Sequence, residues 1–108
     1  MINFLTPITD EAGEVVKQNF KTKKIVKGKE IDGTVNRVTT LEDVARTALL
    51  ASFEDDKDEE TLPRYQLFRK IYGKGEVELT EEEKTLLKRF ICKKHEVLFA
   101  GQALELIN

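Results

Sequence analysis

The chain has one cysteine and one histidine, Cys92 and His95, and they lie three residues apart in a segment predicted to be helical. A thiol beside a base can act as a nucleophile, provided that the base is positioned to take its proton. His95 is the only candidate base, and its place near a helix end favours a structural role, since a positive charge is favourable there. No second histidine or cysteine supplies metal-ligand spacing. The sequence therefore predicts no catalytic residue, no metal site and no cofactor.

Acidic residues dominate the segment "EDDKDEE" at 54–60, which holds six acids and one lysine. A calcium loop would need alternating acids, a central glycine and a final bidentate glutamate, so the run is predicted to be a solvated loop. The "GKG" at 73–75 lacks the lysine and hydroxyl residue of a phosphate loop, and it indicates a turn between helices.

Lysines form two clusters, "VKQNFKTKKIVKGK" at 16–29 with six lysines and no acid, and "KRFICKKH" at 88–95. Lysines on adjacent surfaces can hold a phosphate backbone, and an exposed Phe20 could stack on a base. The alternative is a lysine-bearing edge strand that resists strand-to-strand aggregation. Arginine, the usual reader of bases, is scarce in these clusters.

The first third of the chain is predicted to form two hairpins. Residues 4–8 alternate in side, "DEAG" at 10–13 supplies a turn, and Pro7 restricts the first strand to an edge. Asp32 and Gly33 form an Asp-Gly pair between apolar residues, which predicts a second turn there because both central residues of a type I′ turn need positive φ.

From Thr39 the apolar period becomes helical. Thr39 or Thr40 can cap a first helix, whose apolar face comprises Leu41, Val44, Ala45, Ala48, Leu49, Ser52 and Phe53. Pro63 is suited to the first turn of a second helix and Gly73 to its end. Along that helix a stripe is predicted to contain Tyr65, Phe68 and Tyr72.

A third helix is predicted to begin after Thr80 in "LTEEEKTLLKRF". Thr80 and Glu83 have the spacing of a capping box, so the acids there are explained by capping and by the helix dipole. Its buried stripe is predicted to contain Leu86, Leu87, Phe90 and Ile91. The last segment, "EVLFAGQALELI", is apolar on nearly all sides, which predicts the most central helix.

At 108 residues the chain has the size of one domain, 1–108, with a β-hairpin region at 1–38 and a helical region at 39–108. The predicted fold is α+β, with amino-terminal β-hairpins followed by a three- to four-helix carboxy-terminal bundle. The net charge of -2 argues against general polyanion binding. A single cysteine and the lack of a long apolar run predict a soluble, cytoplasmic protein with no membrane partner.

The order "RYQLFRKIYGKGEVELTEEEKTLLKRF" followed by "GQALELI" covers the carboxy-terminal two fifths of the chain. It resembles small, largely uncharacterised accessory proteins of tailed bacteriophages and prophages. That resemblance rests on structural residues and transfers no functional residue. It implies a phage product in the bacterial host cell that acts on a host protein early in infection or assists virion assembly.

The leading hypothesis is a non-enzymatic, phage-derived protein-binding module that inhibits or redirects a host or defence protein. Segregated charge and aromatic side chains, which dominate interface hot spots, supply the candidate partner-binding residues: Phe20, Lys21, Lys23, Lys24, Lys27, Asp55, Asp56, Asp58, Tyr65 and Tyr72. The alternatives are nucleic-acid binding through the lysine clusters and a role in virion or tail assembly. The sequence leaves the partner and the oligomeric state open.

Overall fold

The computed structural model describes residues 1–26 and 28–107, with the side chains of residues 20–26, 29–32, 34 and 35 outside the description. The strands are β1 (Ile2–Asn3), β2 (Lys17–Val26), β3 (Lys29–Val38) and β4 (Glu76–Val77). The helices are α1 (Leu41–Leu50), α2 (Thr61–Ile71), α3 (Glu81–Lys94) and α4 (Val97–Ile107), and a short 3₁₀ helix (Asp58–Glu60) precedes α2. This order confirms the predicted α+β fold with amino-terminal hairpin strands and four helices.

Strands β2 and β3 form the long hairpin, but its turn is not where the sequence predicted it. Val26 pairs with Lys29, and Gly28 between them has a φ of 76°. Asp32 and Gly33 lie inside β3, opposite residues 23 and 22 of β2. A turn at 32 and 33 would leave only residues 34–38 to pair with 27–31. The turn at Gly28 allows ten residue pairs between β2 and β3, and this longer ladder is favoured.

The first hairpin is reduced to a tight loop over residues 8–16. Val16 N–H donates to the Ile8 carbonyl at 2.9 Å, and Gly13 has a φ of 82°, which confirms the predicted turn at 10–13. Ile8 N–H donates in turn to the Thr39 carbonyl at 2.9 Å. The segment before the loop therefore runs beside the start of α1 instead of extending a sheet.

Helix α1 is the centre of the core and packs against α2, α3 and α4. Its buried residues are Leu41, Asp43, Val44, Ala45, Ala48 and Leu49. The prediction that the last helix is the most central is wrong, because α4 buries only Ala100, Ala103 and Ile107 and leaves Val97 89% exposed. Helix α4 carries apolar residues on nearly all sides, but its neighbours α1, α3 and β1 cover only part of its surface.

The first residues of the chain close the free amino end of α1. The N–H groups of Leu41 and Glu42, which have no partner inside the helix, donate to the carbonyls of Thr6 and Phe4 at 2.9 Å each. Phe4 N–H donates to the Gly75 carbonyl at 2.8 Å, next to the pairing of β1 with β4. The amino-terminal segment thus joins α1 to the connection between α2 and α3.

Gln102 fastens α4 to the same segment. Thr9 N–H donates to Gln102 Oε1 at 2.9 Å, and Gln102 Nε2 donates to the Thr9 carbonyl at 2.7 Å. Gln102 Nε2 also donates to the Leu98 carbonyl at 3.2 Å. The side-chain amide thereby pairs with a backbone unit much as a neighbouring strand would.

The predicted capping box at the start of α3 is confirmed. Glu83 N–H donates to Thr80 Oγ1 at 3.2 Å, and Thr80 N–H donates to Glu83 Oε1 at 2.9 Å. Lys70 Nζ of α2 donates to the same carboxylate oxygen at 2.8 Å. Partial burial raises the pKa of Glu83, but the hydrogen bonds from Lys70 and Thr80 outweigh it and hold the pKa below its ordinary value. One carboxylate therefore both caps α3 and ties it to α2.

Replacing Thr80 with alanine is expected to lower the free energy of unfolding by about 1 kcal/mol, because the α3 cap loses its side-chain acceptor. Urea denaturation of purified protein measures the change. Thr85→Ala is the matched control, since Thr85 lies inside α3 and only donates to the Glu81 carbonyl one turn back. Equal losses in the two variants would contradict a capping role for Thr80.

Candidate interaction surface

The two side chains that could have supplied nucleophilic chemistry are placed differently. Cys92 is exposed on α3, whereas His95 ends that helix with a half-buried ring. Nε2 of His95 lies 2.9 Å from the Val44 carbonyl oxygen. A carbonyl only accepts, so Nε2 carries the proton in this bond. The imidazole thus links the end of α3 to the middle of α1.

His95 is favoured as a neutral ring, which differs from the cation that its sequence position suggested. Burial lowers the pKa of His95 below its ordinary value of 6.5, the bond with the Val44 carbonyl raises it in part, and the charge of Lys94 lowers it further. The unfolded chain therefore binds more protons than the folded chain as the pH falls through that value.

The melting temperature is accordingly expected to decrease as the pH is lowered from about 8 to about 6. The reason is that His95 titrates near 6.5 in the unfolded chain and resists protonation in the folded chain. His95→Gln should flatten this dependence, since glutamine can still donate to the Val44 carbonyl and does not titrate. Thermal melts in matched buffers make the comparison. The chain has one histidine, so an unchanged slope in the variant would rule out His95 as its source.

The acidic run at 54–60 was predicted to be a solvated loop, and this is confirmed, because residues 54–59 are exposed and form a turn that leads into the short 3₁₀ helix. Asp55 accepts from Lys93 of α3 at 2.7 Å, and Asp56 accepts from Phe53 N–H at 2.9 Å. Glu60 pairs with Arg89 of α3. The run is therefore fastened to α3 by its own ion pairs, while exposed Asp58 begins the short 3₁₀ helix.

The lysine-rich candidates belong to β2, where Phe20, Lys21, Lys23 and Lys24 are strand positions whose side chains lie outside the described residues. Lys27 lies wholly outside the described residues. Their predicted contact with a partner therefore stays a prediction.

Tyr65 lies on α2 and Tyr72 directly follows its last residue, and the two side chains are 49% and 54% exposed. Tyr65 accepts a hydrogen bond from Arg69 at 2.8 Å and lines a hollow beside the end of α1. The Tyr72 ring packs against Phe68, with ring centroids 5.3 Å apart. The buried face of α2 instead consists of Arg64, Leu67 and Ile71. The two tyrosines of the predicted stripe therefore face water, whereas Phe68 is partly buried and packs against the core.

Arg64 is a buried cation that the sequence analysis missed. Its guanidinium lies over the Phe90 ring, 4.2 Å from the centroid, and is paired with Asp56 at 3.2 Å. It also donates to the Ala51 carbonyl, which follows the last residue of α1. Arg64 thus joins α2, the end of α1 and the core of α3, and it holds the acidic run in place.

Helices α2 and α3 each pack against α1 and much less closely against each other. A hollow of about 420 Å³ lies between α2 and α3, and a second of about 450 Å³ adjoins it between α3 and Glu60, which directly precedes α2. Both hollows are lined by Glu82 and Leu86, so together they form one continuous depression, here named the α2–α3 groove. Its remaining lining residues are Glu60, Pro63, Gln66, Leu67, Lys70, Glu81, Glu83, Thr85 and Arg89.

The α2–α3 groove has apolar side chains between charged ones. Leu86 is half-buried, and Leu67 below it is 2% exposed. Exposed Glu82 has no ion-pair partner in the part of the chain that the structure describes, and Glu81 lies 3.6 Å from Lys84. An apolar floor with polar groups at the edge is the usual composition of a binding site.

None of the predicted partner-binding side chains that the structure describes lines this groove. In the sequence, the acids of α3 were fully explained by capping and the helix dipole, so their place beside this groove was not foreseen. One signal was present in the sequence: adjacent Leu86 and Leu87 point about 100° apart on a helix, so one neighbouring helix cannot cover both equally. Leu87 is fully buried, and Leu86 is left at the groove.

Within the described residues, no three His, Cys, Asp or Glu side chains gather as metal ligands, and no helix is both long and apolar enough to cross a membrane. Comparisons of the chain with protein-family models, with curated proteins and with solved structures find no match. The functional conclusion accordingly depends on the geometry of the α2–α3 groove.

Proposed function

We propose that the protein is a non-enzymatic protein-binding module whose binding surface is the α2–α3 groove. The observation that carries this proposal is the partly covered Leu86 between two helices that both pack on α1 and leave a gap between themselves. Removing the apolar floor of a concave surface from water lowers the free energy, so a partner that covers this groove is bound favourably.

Exposed apolar residues next to the groove extend the surface that a partner could cover. Leu62 is 60% exposed and directly precedes Pro63, which lines the groove. The ion pairs Lys70 with Glu83 and Arg89 with Glu60 connect α2 and the 3₁₀ helix to α3 at the groove. These pairs hold the two sides at a set separation, so that the surface is formed before a partner arrives, and preorganisation of this kind favours binding.

The resemblance of residues 65–107 to phage accessory proteins would make the partner a bacterial host or defence protein that is inhibited or redirected. It also allows a component of the virion or tail as the partner. Both readings require the same property, which is stoichiometric binding of another protein through a defined surface.

A charge placed on the groove floor tests the proposal. Leu86→Glu is compared with Leu104→Glu, since Leu104 is also half-buried but lies on α4 outside the groove. Tagged wild-type protein is expected to capture a stoichiometric protein from bacterial lysate, and Leu86→Glu to lose at least about tenfold of its affinity for that purified partner by calorimetry. Circular dichroism first establishes that both variants are folded.

Leu104→Glu should bind within about twofold of the wild type, a difference of less than about 0.5 kcal/mol. Equal binding by wild type and Leu86→Glu would place the interface elsewhere, and capture of no protein would overturn the proposed function. Copurified nucleic acid that is released steeply as salt rises would instead support the lysine cluster at 16–29 as the binding surface.

A further inference from the structure

We infer that the α2–α3 groove receives a basic amphipathic α-helix of the partner protein. This inference rests on the proposed function and adds the class of partner segment. It depends on the shape of the gap, on the uncompensated charge at its edge and on the chemistry of its walls.

The groove lies where a further helix could pack against α2 and α3. In helical bundles, two helices that flank a third leave a furrow into which another helix packs by ridges and grooves. Helices α2 and α3 flank α1 in this way, whereas α4 packs against α3, α1 and β1. The lining of α3 runs from Glu81 to Arg89, which is roughly 12 Å at 1.5 Å per residue. About two turns of a partner helix therefore fit along it.

The charge at the edge is negative. Four carboxylates, Glu60, Glu81, Glu82 and Glu83, line the groove with two cations, Lys70 and Arg89. Both cations are already paired, Lys70 with Glu83 and Arg89 with Glu60. Glu81 contacts only Lys84, at 3.6 Å, and its side chain is 92% exposed, while Glu82 has no ion-pair partner among the described residues. Glu82 can then meet a cation of a partner, and a partner of negative charge would be repelled.

Capping and the helix dipole account for acids in the first turn of α3, but they leave two observations unexplained. Glu60 belongs to a different element and yet lines the same groove. Leu86 lies one turn beyond Glu82 and stays partly uncovered between the charges. An apolar contact flanked by acids matches an apolar helix face flanked by Lys or Arg.

The chemistry of the groove walls also distinguishes a helical partner segment from a strand or a nucleic acid. Strand addition needs a row of unpaired backbone N–H and C=O groups, and the groove walls are side chains of two helices, whose backbone groups are bonded within the helix. A nucleic acid would bring phosphates to an acidic edge. Helix-in-groove recognition, with anchors at i, i+3, i+4 and i+7, is the mode that fits.

A peptide-display selection on the full-length protein tests the inference without knowledge of the natural partner. The probe is a library of randomised helical peptides of about 16 residues, roughly 24 Å of helix. Enriched peptides are synthesised, their affinities are measured by fluorescence anisotropy, and their binding sites are mapped by amide chemical shifts. We expect leucine-like anchors at helical spacing flanked by Lys or Arg, with the largest shifts around Glu82 and Leu86.

Two charge-reversal variants test whether the groove prefers a basic peptide. Glu82→Lys should weaken the enriched peptides by about tenfold, while Glu105→Lys, an identical charge change at an exposed site on α4, should change affinity by less than about twofold. Raising NaCl from about 0.05 M to about 0.5 M should weaken binding in the same direction, because exposed charges are screened. Enrichment of neutral or acidic peptides, equal effects of the two reversals, or no enrichment would each overturn the inference.

The two proposals fail separately. A natural partner that is lost with Leu86→Glu but binds through a neutral, acidic or non-helical segment would sustain the proposed function and overturn the basic helix. A partner that is indifferent to Leu86→Glu would overturn the proposed function itself.

Discussion

Arg64→Met is expected to lower the free energy of unfolding by about 3 kcal/mol, because it leaves the partners of a buried guanidinium without their cation. Methionine keeps the unbranched apolar stem, so the change reports on the charged group and not on a cavity. The Ala51 carbonyl loses its donor, Asp56 loses its ion pair, and the Phe90 ring loses the cation above it. Asp56 can turn towards water, which keeps the loss below the top of the range for broken buried pairs.

Arg69→Met is the matched control for Arg64, because Arg69 lies on the same helix, is exposed and donates to the hydroxyl of Tyr65. It should change stability by no more than about 0.5 kcal/mol. Guanidinium chloride denaturation of the two variants gives the comparison directly. If Arg64→Met proves as stable as Arg69→Met, the guanidinium does not join α1, α2 and α3 in the way described.

Asp43→Asn should cost about 3 kcal/mol of unfolding free energy, since one buried carboxylate serves several donors. Arg37 approaches it with two nitrogens, at 2.8 and 2.7 Å, and Arg46 approaches at 3.2 Å. Thr40 N–H also donates to it at 3.0 Å and completes the cap of α1. The arginine side chains are 40% and 30% exposed, so water takes up part of the lost interaction.

The acid sensitivity of the protein gives Asp43 a second readout. Burial raises the pKa of Asp43, but the hydrogen bonds from Arg37 and Thr40 and the charges of Arg37 and Arg46 outweigh it and hold the pKa below its ordinary value of 3.8. The folded chain therefore binds this proton less readily than the unfolded chain, and the stabilisation is present above 3.8 and lost as pH falls below it. Wild-type protein should thus lose more stability than Asp43→Asn between about pH 5 and pH 3.

Glu81→Gln controls for the general effect of an acid in the first turn of a helix. Glu81 is the first residue of α3 and its side chain is 92% exposed, so replacing its carboxylate should cost at most about 0.5 kcal/mol. An acid-unfolding curve of Asp43→Asn that overlays that of wild type would show that Asp43 does not carry the acid sensitivity.

Local signals in the sequence predicted the helices well because their causes are local. Thr80 and Glu83 satisfy each other across three residues, and the start of α1 after Thr40 follows the same logic. The hairpin turn was misplaced because two glycines compete for it. The Asp-Gly pair has the stronger local preference, while Gly28 gives the longer ladder, and only the paired strand reveals the ladder length.

The candidate site was harder to foresee because its causes are not local. In the sequence, nothing distinguishes Arg64 from a surface cation. In the folded chain, Phe53, Phe90 and Asp56, which belong to different segments, surround it. The α2–α3 groove likewise depends on how far apart two helices lie when both pack on α1. Periodicity identifies which face of a helix is apolar, but it cannot say whether that face will be fully covered.

The bond between Gln102 and Thr9 spans 93 residues of sequence, and it sets an order of events during synthesis. Thr9 leaves the ribosome long before Gln102 exists, so its backbone carbonyl and amide groups stay bonded to water until α4 has been made. Closing so long a loop costs chain entropy before any contact offsets it. Docking of α4 onto the Thr9 backbone therefore follows the synthesis of residue 102, whereas the contacts of Phe4 and Thr6 with the start of α1 can form earlier.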